Sequence, residues 1–108
     1  MALLVKNLGI SVDRSGSVVT VCLDGELDAS YVGVVVDCVA QQLDAATTRI
    51  VADLSRLTFC DSSGTRELIL LARAAGEAGA ELVLHRPSAA LTRRLQMMGL
   101  ERHFQLTA

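Results

Sequence analysis

Two serines, an aspartate and a glycine stand where an apolar strand is predicted to give way to a helix. They are Asp61, Ser62, Ser63 and Gly64, and Cys60 precedes them. The start of a helix leaves backbone N–H groups unpaired and carries partial positive charge. Such a position can hold an anion, including a phosphoryl group esterified to a serine. The pattern therefore predicts either a phosphorylation site or an ordinary helix cap, in which a short polar side chain accepts from a backbone N–H.

The elements that must position this segment follow from the hydrophobic pattern. An apolar run over Arg49–Leu54 predicts a buried strand, in which Asp53 can mark the end, and apolar residues at helical spacing predict a helix over about 63–78. Nearer the start of the chain, alternation over Leu8–Val12, a turn cluster and an apolar run over Val18–Leu23 predict a β-hairpin. The polar segment Asp24–Asp28 is expected to end the second strand of that hairpin.

Two further helices and two short strands complete the predicted order. Asp28 or Ser30 can cap the first helix. The apolar stripe of that helix is Val32, Val35, Val36, Val39 and Leu43. Glu81–His85 predicts a strand, Ser88 the start of a third helix and His103–Thr107 a short last strand. The order β-β-α-β-α-β-α-β predicts an α/β fold, in which an N-terminal β-hairpin leads into a mixed, mostly parallel sheet packed with helices.

Composition narrows the classes of function. The chain has 108 residues, which fits one domain spanning 1–108, and of its 51 % hydrophobic residues only three are aromatic. The net charge is −2 and the basic residues are scattered, so direct nucleic-acid binding is not expected. No apolar run approaches the roughly 20 residues of a membrane span, and the first residues lack the features of a secretion signal. We therefore expect a cytoplasmic protein that does not bind membranes.

The three cysteines carry little chemical information. Cys22, Cys38 and Cys60 are odd in number and share no close spacing, whereas a zinc site needs ligands about two to four residues apart. They are expected to be reduced, small and apolar core residues. Neither a metal site nor a cofactor is predicted.

Functional groups of a parallel sheet gather outside the carboxyl ends of its strands. Both Asp24–Asp28 and Cys60–Gly64 follow predicted strands at such ends. We therefore expect these two segments to lie close together and to form the functional site of the domain.

Five short motifs, taken in order, resemble STAS domains and specifically the anti-sigma factor antagonists. They are Gly25–Asp28, Asp53–Ser55, Phe59–Gly64, Pro87–Ser88 and Met98–Leu100, and the resemblance that they support covers nearly the whole chain. The resemblance implies a domain that binds an anti-sigma factor with serine kinase activity and thereby frees a sigma factor. Phosphorylation by that partner would end the antagonism, and a phosphatase would be expected to restore it.

The resemblance also implies roles for individual residues. The second serine of the family's Asp-Ser-Ser-Gly motif is the usual phosphoacceptor, which corresponds to Ser63, and Asp28 corresponds to an acid close to the acceptor. Gly64 is expected to ease the approach of a kinase because it has no side chain. The chain departs from the family at Thr65 and Arg66, where an apolar residue and a glycine are common. Because this helix supplies much of the family's binding face, the departure is expected to affect partner choice. The implied partner-binding residues are Asp28, Asp61, Ser62, Ser63, Gly64, Thr65 and Arg66.

Other interpretations stay open. Asp28 can be a helix cap or turn residue rather than a functional acid. Met97, Met98 and Leu100 are expected to pack against the core or the helix end, although methionines can also form an adaptable surface. Ser63 could be a hydrolase nucleophile with His85 as its base, but the chain lacks the Gly-x-Ser-x-Gly motif, and we expect no enzyme. Within the same family, the alternative is a constitutive interaction module of a transport or signalling complex, with no serine phosphorylation.

Overall fold

A six-stranded mixed sheet organises the chain. The computed structural model describes residues 2–5, 7–28 and 33–108. The strands lie in the sheet in chain order, and they are β1 (Ala2–Val5), β2 (Leu8–Ser15), β3 (Val18–Leu27), β4 (Arg49–Cys60), β5 (Glu81–His85) and β6 (Gln105–Thr107). The first three pair antiparallel, whereas β3 to β6 pair parallel. The predicted hairpin and mixed, mostly parallel sheet are confirmed.

The helices cover one face of this sheet. They are α1 (Val34–Ala40), α2 (Ser62–Glu77) and α3 (Ala89–Met97), followed by a 3₁₀ turn (Glu101–His103). Because successive strand residues point to opposite faces, the buried positions of β3 and β4 alternate. These positions are Val19, Val21, Leu23, Ile50, Ala52 and Leu54, and all join one core with the helices. Neighbours on the other face, such as Cys22 and Asp53, are only half-buried.

The strands are longer than the sequence pattern predicts. Asp24–Asp28 does not end the second hairpin strand, because β3 continues to Leu27 through irregular pairing around Gly25. Gly25 has φ 119°, and a Cβ there would lie 2.0 Å from the carbonyl oxygen of Asn7. Asp53 likewise does not end β4, which runs six residues beyond Leu54 to Cys60. The short strand β1, to which the pattern assigned no element, pairs with β2.

The helix α1 begins later than predicted. Its N-cap is Gly33, with φ 87° and no side-chain cap, so Asp28 does not cap it. Ser30, the other predicted cap, and Val32 of the predicted stripe lie outside the described residues. The helix ends at Ala40, so Leu43 follows it rather than belonging to its stripe. No helix in the described ranges has the length and apolar character needed to cross a membrane.

Candidate functional site

The ends of β3 and β4 meet at one corner of the sheet. Leu27 and Cys60, their last residues, are register partners, and the N–H of Asp61 donates to the carbonyl of Leu27 at 3.4 Å. The half-buried Asp28 follows the first strand and Asp61 the second. The expectation that the two polar segments converge is therefore confirmed.

Asp61, rather than either serine, caps α2. Its backbone is extended, with φ −89° and ψ −168°, and its Oδ1 accepts from the N–H of Gly64 at 2.9 Å. The helix therefore begins at Ser62, one residue earlier than predicted, and both serines lie in its first turn. Ser62 is exposed and Ser63 is half-buried, so neither hydroxyl is sealed in the core.

Gly64 and Thr65 face inward. The expectation that Gly64 eases the approach of a kinase therefore needs correction. A Cβ at Gly64 would lie 2.4 Å from the carbonyl oxygen of Leu27, so the missing side chain lets α2 pack on β3 rather than easing a kinase's approach. Thr65 is 0 % exposed, and its hydroxyl donates to the carbonyl of Asp61 at 3.0 Å. Of the two residues that depart from the family pattern, only Arg66 is exposed.

An arginine of α3 completes the corner, and the sequence pattern did not identify it. Nη1 of Arg94 donates to the carbonyl of Cys60 at 2.6 Å and to Oγ1 of Thr65 at 3.1 Å. Burial raises the pKa of the Cys60 thiol, against the opposing effects of the Thr65 hydrogen bond and the Arg94 charge. The Cys60 thiol therefore stays protonated at neutral pH. The two hydrogen bonds of Arg94 link α3 to the start of α2.

A buried glutamate links the same helix to α1. Glu67 is 1 % exposed, and its two carboxylate oxygens accept from the N–H groups of Gly33 at 2.7 Å and Val36 at 3.1 Å. These donors lie at the start of α1, where backbone N–H groups have no partner within the helix. Glu67 belongs to α2 and lies one turn after Ser63. A side chain of α2 therefore caps the start of α1, where the N-cap residue Gly33 provides no side chain of its own. The sequence gives one indication of this buried position, because the charged Glu67 stands next to Leu68 of the predicted apolar stripe.

The other predicted site residues lie elsewhere. His85 ends β5, where its Nδ1 lies 2.8 Å from Oγ1 of Thr107, and no hydrogen bond among the described residues joins it to Ser63. The prediction that Met97 and Met98 pack inward is wrong, because they are 81 % and 52 % exposed. All three cysteines are free, but only Cys38 is buried. The described ranges contain no group of three or more His, Cys, Asp or Glu side chains that could hold a metal ion.

Comparison with known proteins agrees with this architecture. A family described as "Mlab, STAS domain" matches residues 10–107. The chain belongs to the STAS domain family, and the resemblance seen in its motifs is confirmed.

Individual relatives are more distant. The chain is 29 % identical over 75 residues to a Bordetella bronchiseptica protein named "Putative anti-sigma factor antagonist BtrV". That match covers 69 % of this chain and 65 % of the relative, so less than two thirds of the relative's length is spanned. The structure of the anti-sigma factor antagonist SpoIIAA in its unphosphorylated form is 23 % identical, with a TM-score of 0.73 over 92 % of this chain and 88 % of that one. The phosphorylated form of the Bacillus cell fate determinant SpoIIAA is 24 % identical, with a TM-score of 0.68 over 92 % and 91 %. These structural matches establish the fold.

Proposed function

We propose that this chain is a cytoplasmic anti-sigma factor antagonist whose binding is controlled by phosphorylation of Ser63. In its unphosphorylated form it binds an anti-sigma factor that has serine kinase activity, and phosphorylation by that partner releases it. A phosphatase then restores the binding form. The name of the BtrV relative supports the general role, and SpoIIAA is a protein of this fold with both unphosphorylated and phosphorylated structures.

The observation that carries the proposal is that Asp61, and not Ser63, caps the start of α2. Asp61 accepts the capping hydrogen bond from Gly64, so the hydroxyl of Ser63 is not needed as a cap. Serine is a weak nucleophile at its ordinary pKa, and His85, the candidate base, makes its described hydrogen bond to Thr107 instead. The domain therefore presents the acceptor hydroxyl, and the kinase supplies the activating base.

Phosphorylation would act on docking more than on the fold. The phosphoryl group adds about −1.5 to −2 charges at neutral pH. The N-terminal turn of α2 tolerates this charge because its backbone N–H groups carry partial positive charge. A partner packed over the same turn would meet the new charge beside the carboxylates of Asp61 and Asp28. Desolvation and repulsion then favour release without unfolding of the domain.

Substitution of the two serines tests this proposal. Purified anti-sigma factor kinases from the source organism are incubated with the chain and ATP, and the modified residue is identified by mass spectrometry. We expect Ser63→Ala to stay bound in the presence of ATP and Ser63→Asp to bind weakly. Ser62→Ala is the matched control, because it removes the neighbouring hydroxyl without adding charge, and it should still be phosphorylated at residue 63 and released in the presence of ATP. Equal affinity of the wild type and Ser63→Asp would remove Ser63 from the mechanism, and binding without phosphorylation would favour the constitutive interaction module.

A further inference from the structure

A cavity beside the phosphoacceptor turn is lined largely by α3. Its volume is about 570 Å³, and it lies between the first residue of α2 and the outer side of α3. We call its lining the α3 face. Its residues are Ser62, Ala90, Arg93, Arg94, Met97 and Met98.

The α3 face exposes apolar surface that the fold does not use. Leu91 and Leu95 turn α3 toward the core and are 3 % and 0 % exposed, so the helix is already anchored without the methionines. Met97 and Met98 project outward instead. Methionine and arginine are both enriched at protein interfaces, and the flexible thioether adapts to the shape of a partner.

The same face carries uncompensated positive charge. The helix α3 contains Arg93 and Arg94 but no acidic residue. Arg94 donates only to the neutral oxygens of Cys60 and Thr65, and within the described part of the chain neither arginine has a carboxylate within 4 Å. Because the whole chain has a net charge of −2, this basic patch is local. These two charges are therefore available to pair with acidic groups of another molecule.

The α3 face is continuous with the phosphoacceptor turn. Ser62, which lines the cavity, directly precedes Ser63, and Arg94 holds α3 against the residues on both sides of that turn. A partner that covers Ser63 would therefore also cover the outer side of α3.

We propose that the α3 face docks an acidic surface of a protein partner, in which carboxylates surround an apolar side chain that packs on Met97 and Met98. This inference rests on the proposed function, because the partner is the one that covers Ser63. A phosphoryl group on Ser63 would lower the positive potential of the adjoining arginines. Phosphorylation would thus weaken the attraction of the α3 face for acidic groups as well as obstruct the turn itself.

The inference is tested with a peptide, so that neither the kinase nor ATP is needed. An acetylated amphipathic helical peptide of glutamate and leucine is titrated into the isotope-labelled chain, and amide chemical shifts are followed by NMR. A peptide with lysine in place of every glutamate controls for apolar binding alone. We expect the acidic peptide to shift signals of α3 and the first turn of α2, and its affinity to fall as salt is raised.

Charge reversal locates the binding surface. Arg93→Glu should weaken the acidic peptide by about tenfold, equivalent to about 1.4 kcal/mol. Arg73→Glu is the matched control, because Arg73 is also exposed and lies on α2 away from the cavity, and it should change the affinity by less than about twofold. Met97→Ser should weaken both peptides. Circular dichroism verifies that each variant remains folded.

Several results would overturn the inference. They are shifts confined to the uncovered face of the sheet, equal binding of the lysine peptide, and equal effects of Arg93→Glu and Arg73→Glu. Signals of α3 that shift with protein concentration alone would instead assign the face to a second copy of the chain. Because this assay does not involve phosphorylation, its failure would not contradict Ser63 as the phosphoacceptor. Likewise, a finding that Ser63 is not phosphorylated would not contradict the peptide result.

Discussion

Replacing Glu67 should loosen the start of α1 without touching the sheet. The conservative change Glu67→Gln keeps the shape of the side chain but turns one acceptor into an NH₂ group. That group would face the N–H of Gly33 or of Val36, which now donate at 2.7 and 3.1 Å. One hydrogen bond to a carboxylate is lost, and two donors are set against each other in a place that is 1 % exposed.

The magnitude follows from the number of bonds. A hydrogen bond to a charged group contributes about 1.5–3 kcal/mol, so Glu67→Gln should lower the free energy of unfolding by about 2 kcal/mol. Glu67→Ala removes both bonds and also creates a cavity, so we expect a loss of about 3–5 kcal/mol. For a domain of this size, each kcal/mol corresponds to roughly 4–8 °C in Tm.

Urea unfolding and amide hydrogen exchange together measure this effect. The exchange of the Gly33 and Val36 amides should accelerate more than that of amides in β4. Glu77→Gln is the matched control, because Glu77 is the exposed last residue of the same helix, and its stability should change by less than about 0.5 kcal/mol. If Glu67→Gln matched Glu77→Gln in stability and in exchange, the buried carboxylate would not be a cap for α1.

Two further changes test the packing and the electrostatics. Gly64→Ala should destabilise the fold by about 1–3 kcal/mol in urea because its Cβ would lie 2.4 Å from the carbonyl of Leu27, whereas Gly76→Ala, with open space around its Cβ, should stabilise α2 by about 0.5–1 kcal/mol. Equal signs for these two variants would refute the close approach. Hydrogen bonds from the side chain and backbone of Ser55 hold the pKa of Asp53 below its ordinary 3.8, so its stabilising effect is present above that pH and is lost as pH falls through the lower folded value. Asp53→Asn should therefore be less stable than the wild type at neutral pH, the difference should shrink as the pH is lowered below 3.8, and a difference independent of pH would contradict this assignment.

Local patterns in the sequence predict much of the fold. Hydrophobic periodicity and turn residues are properties of neighbouring positions, so the central strands, the helices and the hairpin could be placed from them. Ser88 is an example, because its hydroxyl oxygen accepts from the N–H of Leu91 at 3.1 Å, as expected of a helix cap. The convergence of Asp28 and Asp61 followed from the parallel order of the strands.

Contacts between distant segments could not be predicted in this way. The outer ends of β3 and β4 contain polar residues such as Asp24, Glu26 and Arg56, and they remain strands because each pairs with the other. Arg94 and Glu67 act through partners about thirty residues away along the chain, and no local spacing indicates such a bond. The inward position of Gly64 likewise depends on how closely α2 approaches Leu27. These features become visible only when the tertiary structure brings the elements together.

The pairing of Leu27 with Cys60 affects the stage of folding at which this corner of the sheet forms. More than thirty residues separate the two, so this ladder closes a long loop, and such contacts form late because their entropic cost comes before their stabilisation. A nascent or partly folded chain would therefore lack the surface around residue 63. A molecule that recognises that surface would therefore distinguish folded copies of this domain from immature ones.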